Sequence, residues 1–150
     1  MINIQNISNF DSLPDKQSII NWAKIALDKK NKEAEIVIRI VENKEGQALN
    51  KKWCKKDYPT NVLSFPITEK IKEAPNILGD IVICANVVFE EAKKQKKSIN
   101  EHFAHMVIHG ILHLQGYDHI TDTEKNVMEK KEIAILDRLG YRNPYVIYNQ

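Results

Sequence analysis

The 150-residue sequence contains only two cysteines, Cys54 and Cys84. Two isolated cysteines are too few for a disulfide framework or for a zinc site built from cysteine thiolates. We therefore expect both side chains to be reduced thiols. Any metal site must then use other ligands.

The sequence also lacks an apolar run long enough to span a membrane. Its first residues, Met1 to Ile4, do not follow the basic and then apolar pattern of a signal peptide. There are no internal repeats, low-complexity tracts or linkers, and the content of 43% hydrophobic and 28% charged residues is typical of a globular protein. We expect a cytoplasmic protein in which residues 1–150 form a single domain, without a membrane partner.

Strong net charge is absent as well, since the formal value is only +2 at pH 7. The lysines nevertheless cluster, and clustered charge of one sign can attract a polyanion even when the total is modest. For either cluster alone, a solvated helix face with acidic neighbours such as Glu90 and Glu91 is the simpler interpretation. The first cluster is Lys51, Lys52, Lys55 and Lys56, and the second is Lys93, Lys94, Lys96 and Lys97.

What the sequence does contain is a set of three histidines, His109, His113 and His119, spaced for one metal ion. Residues four apart on an α-helix lie on the same face about one turn apart, so His109 and His113 can converge on one centre. Gly116 is expected to end that helix in a left-handed conformation, and the turn can bring His119 back as a third ligand. Three imidazoles leave one coordination position open for water, as in catalytic zinc sites.

The same spacing occurs in the zinc-protease signature HExxHxxGxxH, which matches at every histidine and at the glycine. Gly110 stands where those proteases carry the glutamate that acts as general base, so a peptidase interpretation is weakened. His105 also lies four residues before His109 on the same face. We interpret His105 as a packing residue or a hydrogen-bond partner of a ligand, and we expect His102, near the helix start, to be solvated.

The spacing of apolar residues predicts an α+β fold, in which a small four-stranded mixed sheet packs against about five helices and the histidine helix is central and buried. Ser64 and Asp80, near strand ends, are expected to line one cleft. The first helix is expected to be capped by Asp15 or Ser18, and the histidine helix by Asn100. Residues 67–76 are expected to form an exposed loop. The predicted strands are residues 2–7, 35–41, 61–65 and 78–84, and the predicted helices are residues 19–27, 44–53, 85–97, 100–114 and 122–139.

Two further stretches precede the histidine motif, namely PTNVLSFP at residues 59–66 and LGDI at residues 78–81. With all three in order, the chain resembles the YbeY family from about Val37 to Gly140. The resemblance implies a bacterial, metal-dependent endoribonuclease specific for single-stranded RNA. It implies a role in maturation of the 3′ end of small-subunit ribosomal RNA and in ribosome quality control. It further implies one zinc ion on His109, His113 and His119, with ribosomal RNA and the small subunit as partners and no DNA.

One position departs from the pattern of that family. The family carries an arginine before the PTNVLSFP stretch, commonly within a Tyr-Arg-Gly-Lys-Asp run. Aligned without gaps, the run falls on residues 53–57, so Cys54 takes the place of the arginine. A thiol neither carries a fixed positive charge nor binds phosphate bidentately. Lys52, Lys55 and Lys56 surround the position, and together with the resemblance this predicts that they contact RNA.

The expected chemistry is hydrolysis of a phosphodiester bond. The metal at His109 polarises a phosphate oxygen or supplies hydroxide, and nearby cations neutralise the developing charge. The general base is open between Asp80 and Asp118, although Asp118 can instead orient a ligand imidazole and Asp80 can cap a turn. Two other functions stay open: a metallohydrolase of another class, such as a peptidase, and a non-catalytic ribosome-associated metal-binding factor. Three imidazoles also suit nickel, copper or iron.

Overall fold

The structure is a computed structural model that describes residues 1–67 and 76–146. In these two ranges the chain forms four strands and five α-helices. The strands are β1 (Ile2–Asn6), β2 (Glu35–Val41), β3 (Val62–Pro66) and β4 (Ile77–Cys84). The helices are α1 (Lys16–Ala26), α2 (Asn43–Cys54), α3 (Ala85–Lys94), α4 (Ile99–Leu114) and α5 (Asp122–Arg138), and a short 3-10 helix spans Lys29–Asn31.

The four strands form one mixed sheet in the order β1-β2-β4-β3. Strand β2 is parallel to both β1 and β4, whereas β3 pairs with β4 in the antiparallel direction. Strand β3 lies at an edge, so Pro66 can end it without removing a hydrogen bond from the interior of the sheet. The sheet and the helices around it confirm the predicted α+β class.

Helix α4 is buried on most of its circumference and packs against the sheet through β3 and β4. It also contacts three other helices, α1, α3 and α5. Phe103, Val107, Ile108, Ile111 and Leu112 are all fully buried, which fits a helix whose apolar residues surround its axis. The predicted central position of the histidine helix is confirmed. No helix within the two described ranges is long and apolar enough to cross a bilayer.

Helix α4 approaches the sheet closely at Gly110. A Cβ atom at this position would lie 3.0 Å from Cδ1 of Ile81 and 3.3 Å from Cγ2 of Val62. The carbonyl oxygen of Gly110 also accepts a hydrogen bond of 3.3 Å from the Ser64 hydroxyl. Gly110 therefore faces the sheet, and its lack of a side chain allows the helix to lie this near.

The structure decides the helix ends that the sequence left open. Asp15 caps α1, because its carboxylate accepts a hydrogen bond of 2.8 Å from the N–H of Ser18. The prediction that Asn100 caps α4 is wrong, because the hydroxyl of Ser98 accepts a hydrogen bond of 3.0 Å from the N–H of Glu101. Most of the loop predicted at residues 67–76 lies outside the described residues.

Helix α3 ends at Lys94, three residues earlier than the apolar pattern predicts. The chain then turns through Lys96, which has a φ of 55°, and the N–H of Lys97 donates to the carbonyl oxygen of Ala92 at 2.9 Å. This turn groups the lysines of the second cluster around a helix end.

We predict that replacing Gly79 by alanine destabilises the fold more than replacing Gly116 does. Gly79 has a φ of 150°, and a Cβ atom there would lie 2.5 Å from the carbonyl oxygen of Phe65 in the adjacent strand. This clash with backbone should cost about 2–4 kcal/mol of unfolding free energy. Gly116 also has a positive φ, of 99°, but its Cβ would meet nothing within 4 Å. Gly116→Ala should therefore cost only the left-handed strain of about 1–2 kcal/mol.

Urea unfolding of both variants in the presence of chelator would test this prediction. Equal losses of stability in Gly79→Ala and Gly116→Ala would contradict the proposed clash between β3 and β4.

Candidate active site

Three histidine side chains converge at the C-terminal end of α4. The Nε2 atoms of His109 and His113 lie 3.1 Å apart. The ring of His119 lies 5.7 Å from that of His109 and 4.9 Å from that of His113, and one nitrogen from each residue lies within 4.8 Å of the others. Ligands held at about 2.0–2.1 Å around a tetrahedral zinc ion are about 3.3 Å apart. The donor atoms therefore fit one metal ion.

The turn after α4 places His119 beside the two helical histidines. Gly116 takes a φ of 99°, and its N–H donates to the carbonyl oxygen of His113 at 3.0 Å. The N–H of Tyr117 donates to the carbonyl oxygen of Leu112 at 3.1 Å. This pair of hydrogen bonds is the Schellman motif, which requires a left-handed residue and so favours glycine. Gly116 thus ends the helix as predicted.

Glu132 in α5 is a site residue that the sequence analysis missed. It is 0% exposed, and its Oε1 accepts a hydrogen bond of 3.3 Å from Nδ1 of His109. Its Oε2 accepts a hydrogen bond from Nε2 of His105. The Tyr145 hydroxyl lies 2.9 and 2.8 Å from the two oxygens and donates to the same carboxylate. The one sequence signal is its position four residues after the buried Met128, on the apolar stripe of the helix.

These hydrogen bonds set the charge of Glu132 and the tautomer of His109. Burial alone would raise the pKa of the carboxyl group, but hydrogen bonds from His105 and His109 outweigh it and lower the pKa of Glu132 to about 2. Burial lowers the pKa of His105, so this ring is a neutral N–H donor. His109 donates from Nδ1 as well. Its Nε2 lone pair is then free to face His113 and a metal ion.

His105, His109 and Glu132 also lie close enough together to hold a metal ion. However, Nε2 of His105 and the nearer oxygen of Glu132 are only 2.5 Å apart. This is a hydrogen-bond distance, shorter than the about 3 Å that separates two ligands of one zinc ion. We therefore interpret this group as a hydrogen-bond network in which Glu132 bridges His105 and His109.

His102 is buried, contrary to the prediction that it is solvated. It is 2% exposed, and its Nε2 lies 2.9 Å from Oε1 of Glu91. Asn61 donates to the same carboxylate at 3.1 Å. Burial opposes ionisation of Glu91, but these hydrogen bonds outweigh it and lower its pKa. The prediction was wrong because α3 covers the start of α4, a contact that the spacing along α4 does not reveal.

The three metal-site histidines line a cleft of about 810 Å³ whose opposite wall includes residues 60–64. Ser64 lines this cleft, as predicted. Cys54, which takes the place of the family arginine in the gap-free alignment, is exposed and lines the cleft as well. The substitution therefore changes the charge of the cleft wall itself.

The three lysines predicted to contact RNA lie in different places. Lys56 lines the cleft, together with Cys54. Lys52 instead lies over the ring of Trp53, with its ammonium 5.1 Å from the ring centroid. Lys55 has a φ of 62° and forms the left-handed end of α2. Of the three, Lys56 is the one placed beside the histidines.

The two carboxylates predicted as catalytic candidates are also separated. Asp118 lines the cleft, and its Oδ1 accepts a hydrogen bond of 2.8 Å from the N–H of His119. It thus caps the turn, whereas Glu132 is the carboxylate that orients a ligand imidazole.

The prediction that Asp80 lines the cleft is wrong. Asp80 is exposed and lines a separate cavity that includes Met1 and Glu35. Successive strand residues point to opposite faces of a sheet, and the next residue, Ile81, is the one that faces α4. The register of β4 therefore directs Asp80 away from the histidines.

We predict that Glu132→Gln weakens metal binding by about 10- to 100-fold, the usual cost of losing a hydrogen-bond partner of a metal ligand. Glutamine keeps the shape but loses the charge that accepts from His105 and His109. Competition with a chromophoric chelator would measure zinc affinity, and the visible spectrum of the cobalt-substituted protein would report ligand geometry. The matched control is Asp137→Asn in the same helix, because Asp137 is exposed. Wild-type zinc affinity in Glu132→Gln would contradict the assigned role.

Comparisons with known proteins show which family the chain resembles over nearly its whole length. A family model described as Endoribonuclease YbeY matches residues 3–140. An Endoribonuclease YbeY from Methylococcus capsulatus is 52% identical over 134 residues, covering 89% of this chain and 88% of the relative. Another, from Colwellia psychrerythraea, is 46% identical over 150 residues and covers 97% of each chain.

A solved structure is similar as well. The solution structure of a Thermotoga maritima protein matches with a TM-score of 0.61 at 27% identity, covering 93% of this chain and 89% of that one. The family match and the identities of the relatives place this chain in the YbeY endoribonuclease family.

Proposed function

We propose that this chain is a metal-dependent endoribonuclease that hydrolyses single-stranded RNA, with residues 1–150 acting as one domain. The observation that carries the proposal is the convergence of His109, His113 and His119 at a cleft that also holds Lys56. Membership of a family named for endoribonuclease activity supports it.

The substrate that we propose is ribosomal RNA, at the 3′ end of the small-subunit species. In this proposal the RNA is cleaved in the cytoplasm, on the ribosome or its small subunit. The protein would also act in ribosome quality control. The family resemblance supports this assignment. Zinc is the proposed metal, supported by three imidazole donors at suitable spacing, although nickel, copper and iron accept the same ligands.

In this proposal, a zinc ion on His109, His113 and His119 supplies Lewis acidity and lowers the pKa of water. The residues of the chain perform the remaining tasks. Glu132 keeps the proton of His109 on Nδ1, so that Nε2 faces the metal. Lys56 brings positive charge to the cleft wall, where it can neutralise a phosphate group. Asp118 lines the cleft and is the carboxylate that we propose as acceptor of a proton from the attacking water.

A peptidase function has less support. In the zinc-protease signature the general base follows the first histidine, which corresponds here to Gly110. A side chain at Gly110 would meet Ile81 and Val62 in the core. This position therefore has neither the carboxylate nor the exposure that a general base requires.

We predict that His113→Ala loses bound zinc and lowers RNA cleavage by more than about 100-fold, because loss of a ligand should cost more than loss of its hydrogen-bond partner. Zinc content and cleavage of a labelled single-stranded RNA that ends in the small-subunit 3′ precursor would be measured together. Chelator should stop wild-type cleavage, and added zinc should restore it. The control is Asp137→Asn, at an exposed position of α5 outside the site, which should stay loaded with zinc and active.

Retention of both zinc and cleavage in His113→Ala would refute the mechanism. Cleavage of a peptide panel by the wild type, with no cleavage of RNA, would favour the peptidase instead.

We also predict that Cys54→Arg increases kcat/KM on the same RNA by about 10-fold or more, because a charge-assisted hydrogen bond to phosphate contributes about 1.5–3 kcal/mol. The control, Cys54→Ser, should behave like the wild type, since neither side chain is cationic. An unchanged rate in Cys54→Arg would mean that Lys56 already supplies the charge at this wall. Cleavage by Cys54→Arg alone would favour a binding role for the native chain.

A further inference from the structure

A second cavity, here called the basic pocket, lies at the other end of α4 from the metal-site histidines. Its volume is about 570 Å³, and His102 and His105 of α4 contribute to its lining. The turn after α3 and the C-terminal segment supply its positive charge. The cations that line the basic pocket are Lys94, Lys96, Lys97 and Arg142.

The lysines of the basic pocket form no salt bridge with another residue in the described part of the chain. Among residues 1–67 and 76–146, Lys94, Lys96 and Lys97 have no carboxylate within ion-pairing distance. Arg142 differs, because it donates to Glu101 at 3.2 Å and to the carbonyl oxygen of Lys96 at 3.1 Å. It thereby holds the lysine turn in place. Among the described residues, the pocket thus presents three lysines without a salt bridge, beside one carboxylate, Glu91, which bonds to His102 and Asn61.

Lys97 adds an energetic reason for an anionic ligand. Its side chain is partly buried, and burial lowers its pKa. Glu101 and Glu91 act on Lys97 in the opposite direction, but burial is the larger influence, so the loss of hydration is not fully offset. An anion bound in the basic pocket would add a further favourable interaction.

The basic pocket adjoins the candidate active site on two sides. Asn61 lines both the basic pocket and the cleft. Tyr145 lines both the basic pocket and a small cavity that includes His109 and His119. The side chain of Tyr145 is 44% exposed, so its ring is available at the junction. A linear ligand can therefore contact the histidines and the basic pocket at once.

The spacing of residues along α4 gives the distance between the basic pocket and the metal-site histidines. His102 at the basic pocket precedes His109 by seven residues, which corresponds to about 10 Å along the helix. A stacked nucleic acid strand carries one phosphate per about 3.4 Å. The separation therefore corresponds to about three nucleotides.

We propose that the basic pocket binds backbone phosphates of the single-stranded RNA substrate, about three nucleotides from the bond that is cut. The proposal rests on the proposed function, because the cut bond defines the position. A positively charged groove beside an exposed aromatic ring is the usual arrangement for binding single strands without sequence preference. An acidic protein partner is the competing occupant, and the test separates the two.

The test compares two doubly substituted proteins of equal net charge. Lys94→Gln/Lys97→Gln removes charge from the basic pocket, and Lys29→Gln/Lys30→Gln removes the same charge from an exposed turn elsewhere. Binding of a labelled 12-nucleotide single-stranded RNA to the zinc-loaded proteins would be measured by fluorescence anisotropy at several salt concentrations. Cleavage of the 12-mer and of a dinucleotide would be measured in parallel. Zinc content and the unfolding midpoint would verify that both variants are intact.

We expect Lys94→Gln/Lys97→Gln to bind the 12-mer at least about fivefold more weakly. The magnitude of the slope of log affinity against log salt should fall by about 1.4. Each phosphate contact to a single strand contributes about 0.7 to this slope, and two such contacts are removed. KM should rise for the 12-mer and stay unchanged for the dinucleotide, which is too short to span both regions. The control variant should keep the slope of the wild type.

If both double variants weakened RNA binding equally, the proposal would be overturned, because the lysines would then act only through the overall electrostatic field of the protein. Stronger displacement of the RNA by polyglutamate than by unlabelled RNA would overturn it in favour of an acidic partner. The two proposals can fail separately. If the wild type cleaves no RNA, but its salt slope differs from that of Lys94→Gln/Lys97→Gln as predicted, the proposed function is refuted and RNA binding by the basic pocket is supported.

Discussion

The buried carboxylate of Glu132 is the interaction on which the candidate active site depends. A charge that is 0% exposed is tolerated only when donors surround it, and His105, His109 and Tyr145 provide them. These donors come from α4 and from the segment after α5. Helix α5, α4 and the C-terminal segment must therefore dock together before the His109 ring is fixed. The fold and the metal-binding tautomer are consequently parts of the same hydrogen-bond network.

The second constraint is the depth at which α4 lies on the sheet. Gly110 lets the helix approach Ile81 and Val62, which directs the neighbouring His109 towards the cleft. The C-terminal end of α4 is held by Gln115. Its side chain accepts a hydrogen bond from the N–H of Asp28 at 2.7 Å and donates one to the carbonyl oxygen of Ala26 at 2.8 Å. Two ligands thus sit on a rigid helix, and the third follows a turn that is anchored to α1. Such anchoring keeps the donor atoms converged.

Positive charge in this chain is distributed over the cleft and the basic pocket. Cys54 lines the cleft at the position where the resemblance implies an arginine, and Lys56 is a cation that lines the same cleft. A lysine is a point charge on a flexible stem, so it orients phosphate less strictly than a guanidinium does. The basic pocket, at the start of α4, adds further cations. The electrostatic attraction for a polyanion is thereby spread over a longer surface than one arginine would provide.

The sequence by itself determined the local features of this protein. The four strands, the five helices, the left-handed Gly116 and the three converging histidines all follow from apolar periodicity and from spacing within one turn. Contacts between distant segments decided the rest. Glu132 meets His109 across 23 positions in the chain, and His102 is buried by α3. Asp80 points away from the cleft because neighbouring residues of β4 face opposite sides of the sheet, and Ile81 is the one that faces α4. Such relations arise only when the elements pack, because a local pattern shows which face of an element a residue lies on but not which residue it meets.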